Sequence, residues 1–212
     1  MKNREQFGDL LALTLVISAR EAAPRSLLEL AAQAFDGGAG ALQLREKNIP
    51  DRDFYEEARG LADLCRARKK LLIINDRVDL ALAVRADGVH LGQGDLPAAA
   101  AARLLPKNKL LGVSAGDLKE ARAALAAGAD YLGVGAVFPT GSKHDAEPVA
   151  RGEIDRILAL GAPTVAIGGV SPANAAEVWA MGFSGLAVIS ALAGAEDPRR
   201  TAEALLAGRV SR

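Results

Sequence analysis

Short apolar segments recur along the chain, and each is followed by a stretch in which apolar residues return at helical spacing. The apolar segments carry few charges, as is typical of strands that are buried on both faces of a parallel sheet. The pattern predicts strands at residues 11–17, 41–45, 71–74, 88–91, 110–113, 131–134, 164–167 and 186–189. It predicts helices at residues 24–35, 51–68, 78–84, 97–105, 117–127, 153–160, 172–181 and 196–206.

Eight strand–helix units in a chain of 212 residues predict an α/β fold, a single (β/α)8 TIM barrel of parallel strands that spans residues 1–212. A recurring sequence pattern supports the strand–helix repeat. Glycine or alanine ends a helix just before a strand in GGAGALQL, RADGVHLG, AGADYLGV and MGFSGLAV. The alternative architecture is an open, doubly wound sheet, which usually has fewer strands and a glycine-rich nucleotide turn. No G-x-G-x-x-G sequence follows the first predicted strand, so the barrel is favoured.

Charge and composition exclude several classes of partner. Lys plus Arg equals Asp plus Glu at 26 each, and aromatic residues make up 4%, so neither nucleic acid nor an anionic membrane surface is expected as a partner. No apolar run is long enough to span a bilayer, and the charged N-terminal sequence lacks the apolar core of a signal peptide. Cys65 has no second cysteine to pair with, which favours a reduced, cytoplasmic setting. We expect small-molecule substrates, and the sequence leaves open a homo-oligomer.

Two aspartates directly follow neighbouring strands in the segment LLIINDRVDLALAVRADGVHLGQGDL, residues 71–96. The short helix between these strands lets them lie parallel, so both end on the same side of the sheet. Asp76 and Asp95 would project from that edge, where two carboxylates suit Mg²⁺ and leave room for waters and substrate phosphate oxygens. The alternative is that both are turn or N-cap residues, which are common just before helices.

The second predicted strand ends in a polar pentapeptide, QLREK at residues 43–47. Because strand side chains alternate, Gln43, Arg45 and Lys47 share one face. An amide and two cations at one strand end can clamp a pyrophosphate, with Arg45 binding two oxygens at once. The alternative is a solvated charge cluster in a loop.

Polar residues also lie in the fourth strand and at the end of the fifth. His90 stands inside an apolar strand, a position more typical of a hydrogen-bonded core histidine than of a ligand. Ser114 can contact a phosphate or a ring nitrogen. No base lies near Ser114 in the sequence, so we do not interpret it as a nucleophile.

The sixth strand leads into the sequence GVGAVFPTGSK at residues 133–143. Gly133 and Gly135 lack side chains where a barrel would have to admit something large. The loop at residues 139–148 is polar and bounded by prolines, which predicts a mobile lid. Its hydroxyls and its cation are those of Thr140, Ser142 and Lys143.

A separate phosphate site is predicted after the last two strands. The seventh strand ends in Gly168 and Gly169, and the eighth ends in Ile189 and Ser190. Loops at these two places of a barrel commonly hold a phosphate through backbone N–H groups. The strand ends together predict one diphosphate substrate and one monophosphate substrate, with pyrophosphate departing under the influence of a metal and cations.

Six segments occur in the order in which one known family has them. They are QLREK at 43–47, NDRVDLALAVRADGVHLGQGDLP at 75–97, LGVSA at 111–115, GADYLGVGAVFPTGSK at 128–143, AIGGV at 166–170 and GLAVIS at 185–190. Through these segments the chain resembles the thiamine-phosphate synthase family. The resemblance implies a TIM-barrel transferase that joins 4-amino-5-hydroxymethyl-2-methylpyrimidine diphosphate to a thiazole monophosphate, with release of pyrophosphate. The family is thought to ionise the pyrimidine to a carbocation before the thiazole nitrogen attacks.

The same resemblance implies a role for each matching residue. The pyrimidine diphosphate would be bound by Gln43, Leu44, Arg45, Glu46, Lys47, Asn75, Ser114 and Lys143. Mg²⁺ would be bound by Asp76 and Asp95. The thiazole phosphate would be bound by Thr140, Gly141, Ser142, Gly169, Ile189 and Ser190. The catalytic groups would be those of Arg45, Lys47, Ser114 and Lys143.

The chain departs from the family pattern in a few places. The first strand reads LTLVIS where the family usually has a Tyr-Leu-Val-Thr-Asp type of sequence, which implies a lost contact near the thiazole. Ser142 stands where threonine is common, and Ala136 stands where proline is frequent. Two other functions stay open, a thiazole tautomerase and a non-catalytic binding barrel of the thiamine pathway. Neither needs a diphosphate and metal site, and tautomerase relatives carry a histidine where this chain has Gly116.

Overall fold

A closed barrel of parallel strands forms the centre of the protein. The computed structural model describes residues 9–141 and 147–209. Each strand pairs with the next one along the chain, and the eighth closes the ring by pairing with the first. The strands are β1 Leu13–Ile17, β2 Ala41–Leu44, β3 Leu71–Asn75, β4 Gly88–Leu91, β5 Leu110–Ala115, β6 Tyr131–Val134, β7 Thr164–Ile167 and β8 Gly185–Val188. The predicted (β/α)8 barrel is therefore confirmed.

Helices surround the barrel. In the described part of the chain they are α1 Ala19–Ala22, α2 Leu27–Asp36, α3 Asp51–Arg68, α4 Val78–Ala83, α5 Ala98–Leu104, α6 Leu118–Ala126, α7 Arg151–Leu158, α8 Ala175–Met181, α9 Ser190–Ala193 and α10 Pro198–Leu206. The sequence pattern did not predict α1 and α9, because a helix of four residues is too short to show helical periodicity. Among the described residues, no helix combines the length and the apolar character needed to cross a bilayer.

Capping residues explain why several helices begin later than predicted. Ser26 precedes α2 and forms a capping box, in which the Ser26 hydroxyl accepts from the backbone N–H of Glu29 and the Glu29 carboxylate accepts from the backbone N–H of Ser26. Asp117 caps α6 by accepting a hydrogen bond of 2.7 Å from the backbone N–H of Glu120. Such residues flank a helix without adopting helical backbone angles, so the helical pattern of the sequence extends slightly beyond the helix itself.

The core has two layers. The larger layer lies between the strands and the helices and contains outward-facing strand residues such as Leu15, Leu44 and Leu132, which are fully buried. The smaller layer fills the barrel interior with alternate residues such as Val16, Ile73 and Val165. Towards the carboxyl ends of the strands the inward-facing positions become polar, and three of these polar side chains are buried: those of Gln43, Asn75 and His90. This change from apolar to polar lining marks the functional end of the barrel.

Candidate active site

Two adjoining cavities lie at the carboxyl ends of the strands and share some of their lining residues. The mouth cavity has a volume of about 310 Å³ and lies over β5 to β8. Its lining includes Gln93, Ser114, Gly135, Thr140, Gly169, Ile189 and Ser190. The inner cavity has a volume of about 50 Å³ and lies deeper in the barrel. Its lining includes Thr14, Val16, Gln43, Arg45, Asn75, His90, Ser114 and Tyr131.

The two aspartates lie together, as the sequence pattern predicts. Asp76 follows β3 in the left-handed region, at φ 62°, and its backbone N–H donates to the carbonyl of His90 at 2.9 Å. A residue other than glycine is uncommon in this conformation, although aspartate tolerates it better than most. Asp95 Oδ2 accepts a hydrogen bond of 2.6 Å from the backbone N–H of Gly92. These local bonds fix the carboxyl groups at the ends of β3 and β4, where they interact directly.

The electrostatics of this pair favour a bound cation. Burial, and then the adjacent Asp95 carboxylate, raise the pKa of Asp76 to about 6. The pKa of Asp95 is lowered by its hydrogen bonds with Asp76 and with the N–H of Gly92, although burial acts in the opposite direction. Lys47 Nζ lies 3.8 Å from Asp76 Oδ2 and offsets part of the negative charge. Two interacting carboxyl groups with oxygen donors suit a hard divalent cation that takes its remaining ligands from water and substrate.

A self-sufficient metal centre is not present in the part of the chain that the structure describes. No group of three or more His, Cys, Asp or Glu side chains there is placed to hold a metal ion. Mg²⁺ commonly binds through one or two carboxylates together with substrate phosphates. Asp76 and Asp95 are a pair of carboxyl groups of the kind that this mode uses.

The side chains at the end of β2 and just after it point in two directions. Gln43 is buried, Arg45 is half-buried and Lys47 is exposed, and the first two line the inner cavity. Leu44 points the other way, into the layer between the barrel and the helices. The side chain of Leu44 therefore cannot reach a ligand at the mouth, and only its backbone could contribute to the predicted substrate site.

Glu46 is engaged with the protein. Its Oε1 accepts a hydrogen bond from the backbone N–H of Ala19, which begins α1. Glu57 on α3 lies beside it, and the Oε2 of Glu57 is buried without a hydrogen-bond partner among the described residues. Burial, and then the charge of Glu46, raise the pKa of Glu57 to about 7. Glu46 thus fastens α1 to the end of β2, and a role of Glu46 in substrate binding stays a prediction.

The raised pKa of Glu57 gives a testable dependence of stability on pH. Folded protein binds the Glu57 proton more tightly than unfolded protein does, so the stability that this proton contributes is present below pH 4.5 and is lost as the pH rises to about 7. We expect Glu57→Gln to raise the melting temperature near pH 8 and to flatten the dependence of melting temperature on pH across this range. Thermal unfolding at several pH values measures both effects. The control is Glu56→Gln, at an exposed neighbour that pairs with Arg59, and it should leave the pH dependence of the melting temperature as in the native protein. An equal change in both variants would contradict the assignment to Glu57.

A hydrogen-bonded group connects β4, β5 and β6 inside the barrel. His90 Nδ1 lies 3.1 Å from the Tyr131 hydroxyl, and His90 Nε2 lies 3.0 Å from Ser114 Oγ. The Ser114 carbonyl accepts a hydrogen bond of 2.6 Å from Gln93 Nε2. His90 is thus a buried, hydrogen-bonded histidine, as predicted. Asn75 is its register partner on β3, and its side chain faces the same inner cavity.

This group changes the interpretation of Ser114. The sequence shows no base near Ser114, but the fold brings a histidine ring to its hydroxyl. A hydrolytic triad would add a carboxylate to orient the histidine, and here Tyr131 occupies that place. Burial raises the pKa of Tyr131, which keeps it neutral. The group therefore lacks the carboxylate of a hydrolytic triad, and the His90 ring instead orients the Ser114 hydroxyl so that it can bind a ligand. A polar residue at an inward position of an apolar strand was the signal that could have placed His90 in the site.

Gly133 and Gly135 both lie in β6 or directly after it, and the structure gives a reason for them other than the one expected. A Cβ on Gly133 would lie 2.7 Å from His90 Cε1, and a Cβ on Gly135 would lie 1.9 Å from the carbonyl oxygen of Ile167. Both glycines line the mouth cavity, as predicted. Close approach of the His90 ring and of β7 is the direct reason that no side chain fits.

The predicted phosphate loop after β7 is held in a defined shape. Gly168 and Gly169 have φ values of 96° and 67°, which favour glycine. Asn174 Nδ2 donates to the Gly169 carbonyl at 2.9 Å, and Asn174 Oδ1 accepts from the backbone N–H of Ser171 at 2.8 Å. Ile189 and Ser190 lie beside this loop on the same cavity. The loop and the end of β8 therefore line one side of the mouth cavity together.

The described part of the loop after β6 contributes one predicted site residue to the lining of the mouth cavity. Thr140 lines the mouth cavity and Gly141 is exposed. Ser142 and Lys143 lie outside the described residues, together with the centre of the loop that was predicted to be a lid. Their roles stay predictions.

Comparison with known proteins agrees with this geometry. A family model described as thiamine monophosphate synthase matches residues 13–192. The thiamine-phosphate synthase of Moorella thermoacetica is 49% identical over 195 residues, covering 91% of this chain and 93% of the relative. The thiamine-phosphate synthase of Methanobrevibacter smithii is 44% identical over 180 residues, covering 84% and 86%.

Solved structures lead to the same family. Thiamine phosphate pyrophosphorylase from Pyrococcus furiosus superposes with a TM-score of 0.85 at 42% identity, covering 94% of this chain and 95% of that one. A 3-hexulose-6-phosphate synthase superposes with a TM-score of 0.66 at 21% identity and shares the fold alone. Since the family match and the curated relatives extend over most of the sequence, the chain belongs to the thiamine-phosphate synthase family, whose members are transferases.

Proposed function

We propose that the protein joins 4-amino-5-hydroxymethyl-2-methylpyrimidine diphosphate to a thiazole monophosphate, giving thiamine monophosphate and pyrophosphate. The bond between the pyrimidine methylene carbon and the diphosphate oxygen breaks, and its electron pair leaves with pyrophosphate. The thiazole nitrogen then forms the new bond to that carbon and becomes positively charged. One observation carries the proposal: the acidic pair with Lys47 at β2 to β4 lies across the barrel mouth from the loop surface at β7 and β8.

The diphosphate side would be built from the ends of β2, β3 and β4. Arg45 and Lys47 are the cations that would hold the diphosphate oxygens, with Arg45 able to bind two oxygens through its planar fork. Gln43, Asn75 and Ser114 face the inner cavity and would bind the pyrimidine ring. His90 holds the Ser114 hydroxyl in place for that contact. Lys143, by the family pattern, would add a further cation.

Asp76 and Asp95 would hold Mg²⁺. The bound ion would neutralise charge on the departing pyrophosphate. The direct interaction of the two carboxyl groups supports this assignment, because burial and then the neighbouring Asp95 raise the pKa of Asp76 and a cation bound between them would relieve that repulsion. Lys47 offsets part of the negative charge of this pair and would also face the diphosphate.

The monophosphate side would be built from β7 and β8. Gly169, Ile189 and Ser190 would bind the thiazole phosphate, and Thr140 and Gly141 would approach it from the loop after β6, with Ser142 by the family pattern. Gly168 and Gly169 on this surface lack side chains and would let a phosphate approach the backbone closely. The mouth cavity, which Gly169, Ile189 and Ser190 line, has a volume of about 310 Å³, the size of a small-molecule site.

We also propose the wider setting of the enzyme. Residues 1–212 would form one domain that works in the cytoplasm on small molecules. The free Cys65 is compatible with a reducing compartment, since burial raises its pKa to about 12 and keeps the thiol unreactive. A homo-oligomer stays a prediction.

Formation of thiamine phosphate tests the proposed function. Purified protein is mixed with both substrates and Mg²⁺, and the products are followed by chromatography with mass detection. We expect thiamine phosphate and pyrophosphate in equal amounts, and no proton exchange on the thiazole when the pyrimidine diphosphate is left out. Proton-transfer turnover on a thiazole carboxylate phosphate alone would instead assign the tautomerase function. Binding of both compounds without any product would assign a non-catalytic barrel.

A further inference from the structure

A separate cavity lies at the amino ends of β3 and β4, at the opposite end of the barrel from the mouth. This basal cavity has a volume of about 410 Å³, and its apolar lining includes Leu10, Ala62, Leu71, Leu72 and Ala86. Leu71 begins β3 and Asp76 follows its end, roughly 16 Å away at about 3.3 Å per residue. A ligand in the basal cavity would therefore be separated from the acidic pair at the mouth by the length of the strand.

Cations outnumber carboxylates around the basal cavity. Its charged lining residues are Arg66, Lys69, Lys70, Arg85 and Asp87. Asp87 Oδ2 accepts a hydrogen bond of 2.9 Å from the backbone N–H of Leu72, and Arg66 pairs with Asp63 at 2.7 Å. Within residues 9–141 and 147–209, no carboxylate forms an ion pair with Lys69, Lys70 or Arg85. Three cations of the lining therefore have no counter-charge in that part of the chain.

Two of these cations stand in a backbone conformation that favours glycine. Lys69 ends α3 at φ 55°, and Arg85 follows α4 at φ 57°. Four other helices end before a strand in the same left-handed region, and each has glycine there, at Gly38, Gly128, Gly161 and Gly182. Lysine or arginine in this conformation is strained, whereas glycine is not. Both strained positions line the basal cavity, which indicates that a positive charge has a use there.

The partial negative charge of helix ends accounts for only part of this positive charge. The carboxyl ends of α3 and α4 approach the basal cavity, and each is equivalent to about half a negative charge. The carbonyl of Arg85 already accepts a hydrogen bond of 3.1 Å from Lys109 Nζ, so Lys109 supplies a cation to the end of α4. The four cations of the lining exceed the two helix ends and Asp87 together, and the cavity is therefore positive.

Lys70 carries a charge that is partly withdrawn from water. Burial, and then the charge of Arg68, lower the pKa of Lys70. Its Nζ lies 5.9 Å from the centre of the Phe35 ring, a cation–π contact. An anion in the basal cavity would stabilise this ammonium group by supplying the negative charge that it lacks among the described residues.

The lining also indicates that the ligand has an organic part. Leu71, Leu72 and Ala86 are buried apolar residues of the cavity wall. The volume of about 410 Å³ lies in the range of roughly 300–1,000 Å³ that is typical of small-molecule sites, so an inorganic phosphate ion would leave most of it empty. Three cations without a counter-charge suit an anion with more than one phosphate group, and a guanidinium can bind two phosphate oxygens at once.

We propose that the basal cavity is a second ligand site, which binds a small organic molecule with two or three linked phosphate groups, as nucleoside diphosphates and triphosphates have. Lys69, Lys70 and Arg85 hold the phosphate groups, and the apolar wall contacts the organic part. The site lies apart from the mouth and does not depend on the reaction proposed above.

Binding of ATP in the presence of a chelator tests this site. The chelator is chosen because the diphosphate site at the mouth is expected to need Mg²⁺. Isothermal titration calorimetry should show one ATP per chain, with an affinity that falls as salt is added. Adenosine, which lacks the charge, should not bind, and tripolyphosphate, which lacks the organic part, should bind roughly fivefold or more weakly than ATP.

Lys69→Gly and Arg85→Gly separate ligand binding from stability. Each removes one cation, so each should weaken ATP binding roughly tenfold, the usual effect of losing one charge-assisted hydrogen bond. Each also replaces a strained residue by glycine, so the melting temperature of the ligand-free protein should stay at the native value or rise. A loss of affinity in these variants therefore cannot result from unfolding.

Two controls locate the effect. Arg122→Gln removes one positive charge from an exposed position on α6 and should leave the ATP affinity at its native value. Arg45→Ala, at the mouth, should do the same. No binding at millimolar ATP, native affinity in both glycine variants, or a loss of affinity in Arg45→Ala alone would overturn the inference. Tripolyphosphate that binds as tightly as ATP would overturn the assignment of an organic ligand. The titration needs no turnover, so absence of thiamine phosphate formation would contradict the proposed function and leave this inference standing.

Discussion

Asp95→Asn and Asp76→Asn are expected to lower the rate of thiamine phosphate formation roughly tenfold or more, since a divalent cation stabilises a departing anion by several kcal/mol. Each substitution removes one of the two carboxyl groups that meet at the ends of β3 and β4. Asparagine keeps the size of the side chain and can still accept the local hydrogen bond from Gly92 at position 95. The loss should therefore appear in turnover and in the Mg²⁺ concentration needed for half-maximal rate, and the melting temperature should stay close to the native value.

The control for this prediction is Asp79→Asn. Asp79 lies on α4, the helix that follows β3. Its side chain is exposed and pairs with Arg77 outside the barrel mouth. Its replacement removes one carboxylate from the same region, so steady-state rates across a Mg²⁺ series should stay near native. Native rates in excess chelator, or equal losses in all three variants, would contradict a metal role for Asp76 and Asp95.

Gly169→Ala is expected to raise the KM for the thiazole phosphate roughly tenfold or more, because the loop after β7 can keep its shape only with glycine at this position. The residue has a φ of 67°, and an added Cβ would lie 2.6 Å from the carbonyl oxygen of Pro139 and 2.7 Å from Phe138 Cβ. The loops after β6 and β7 must then separate at the surface proposed to hold the phosphate. The KM for the pyrimidine diphosphate, which binds at β2 to β4, should change much less.

Gly161→Ala separates backbone strain from loss of the binding surface. Gly161 has a φ of 70°, but an added Cβ meets nothing within 4 Å, and the residue lies before β7 at the opposite end of the barrel. The alanine at this position is strained in the left-handed conformation, so the free energy of unfolding should fall by about 1–2 kcal/mol. Both KM values should stay unchanged. If Gly169→Ala showed the same stability loss and unchanged kinetics, the loop after β7 would not be the phosphate site.

Strand ends were the part of this protein that the sequence predicted well. The apolar segments are long and regular, so the barrel follows from their number, and the barrel in turn brings residues after β3 and β4 to one edge. Asp76 and Asp95 could be paired in this way because each directly follows a strand. The polar alternation of Gln43, Arg45 and Lys47 followed from the two-residue period of a strand.

Contacts between side chains of different strands could not be predicted in the same way. The bond between His90 and Ser114 depends on register across β4 and β5, which the sequence of either strand does not contain. The engagement of Glu46 with Ala19 depends on α1, a helix too short to show periodicity. Space beside a small residue is filled by a neighbouring side chain at some positions and left open at others. The inner cavity lies where it is left open, and this depends on the packing of the whole barrel.

Binding of each substrate alone, with and without Mg²⁺, tests most directly the claim that the barrel mouth holds a metal–diphosphate site apart from a monophosphate site. Isothermal titration calorimetry gives the affinity of the pyrimidine diphosphate and of the thiazole phosphate under both conditions. We predict that Mg²⁺ tightens binding of the pyrimidine diphosphate roughly tenfold or more and that Asp95→Asn removes this gain, since the ion would join the two carboxylates to the phosphate oxygens. Binding of the thiazole phosphate should be the same with and without the metal. Equal affinity of the pyrimidine diphosphate in Mg²⁺ and in chelator, or a metal requirement for the thiazole phosphate, would contradict the account.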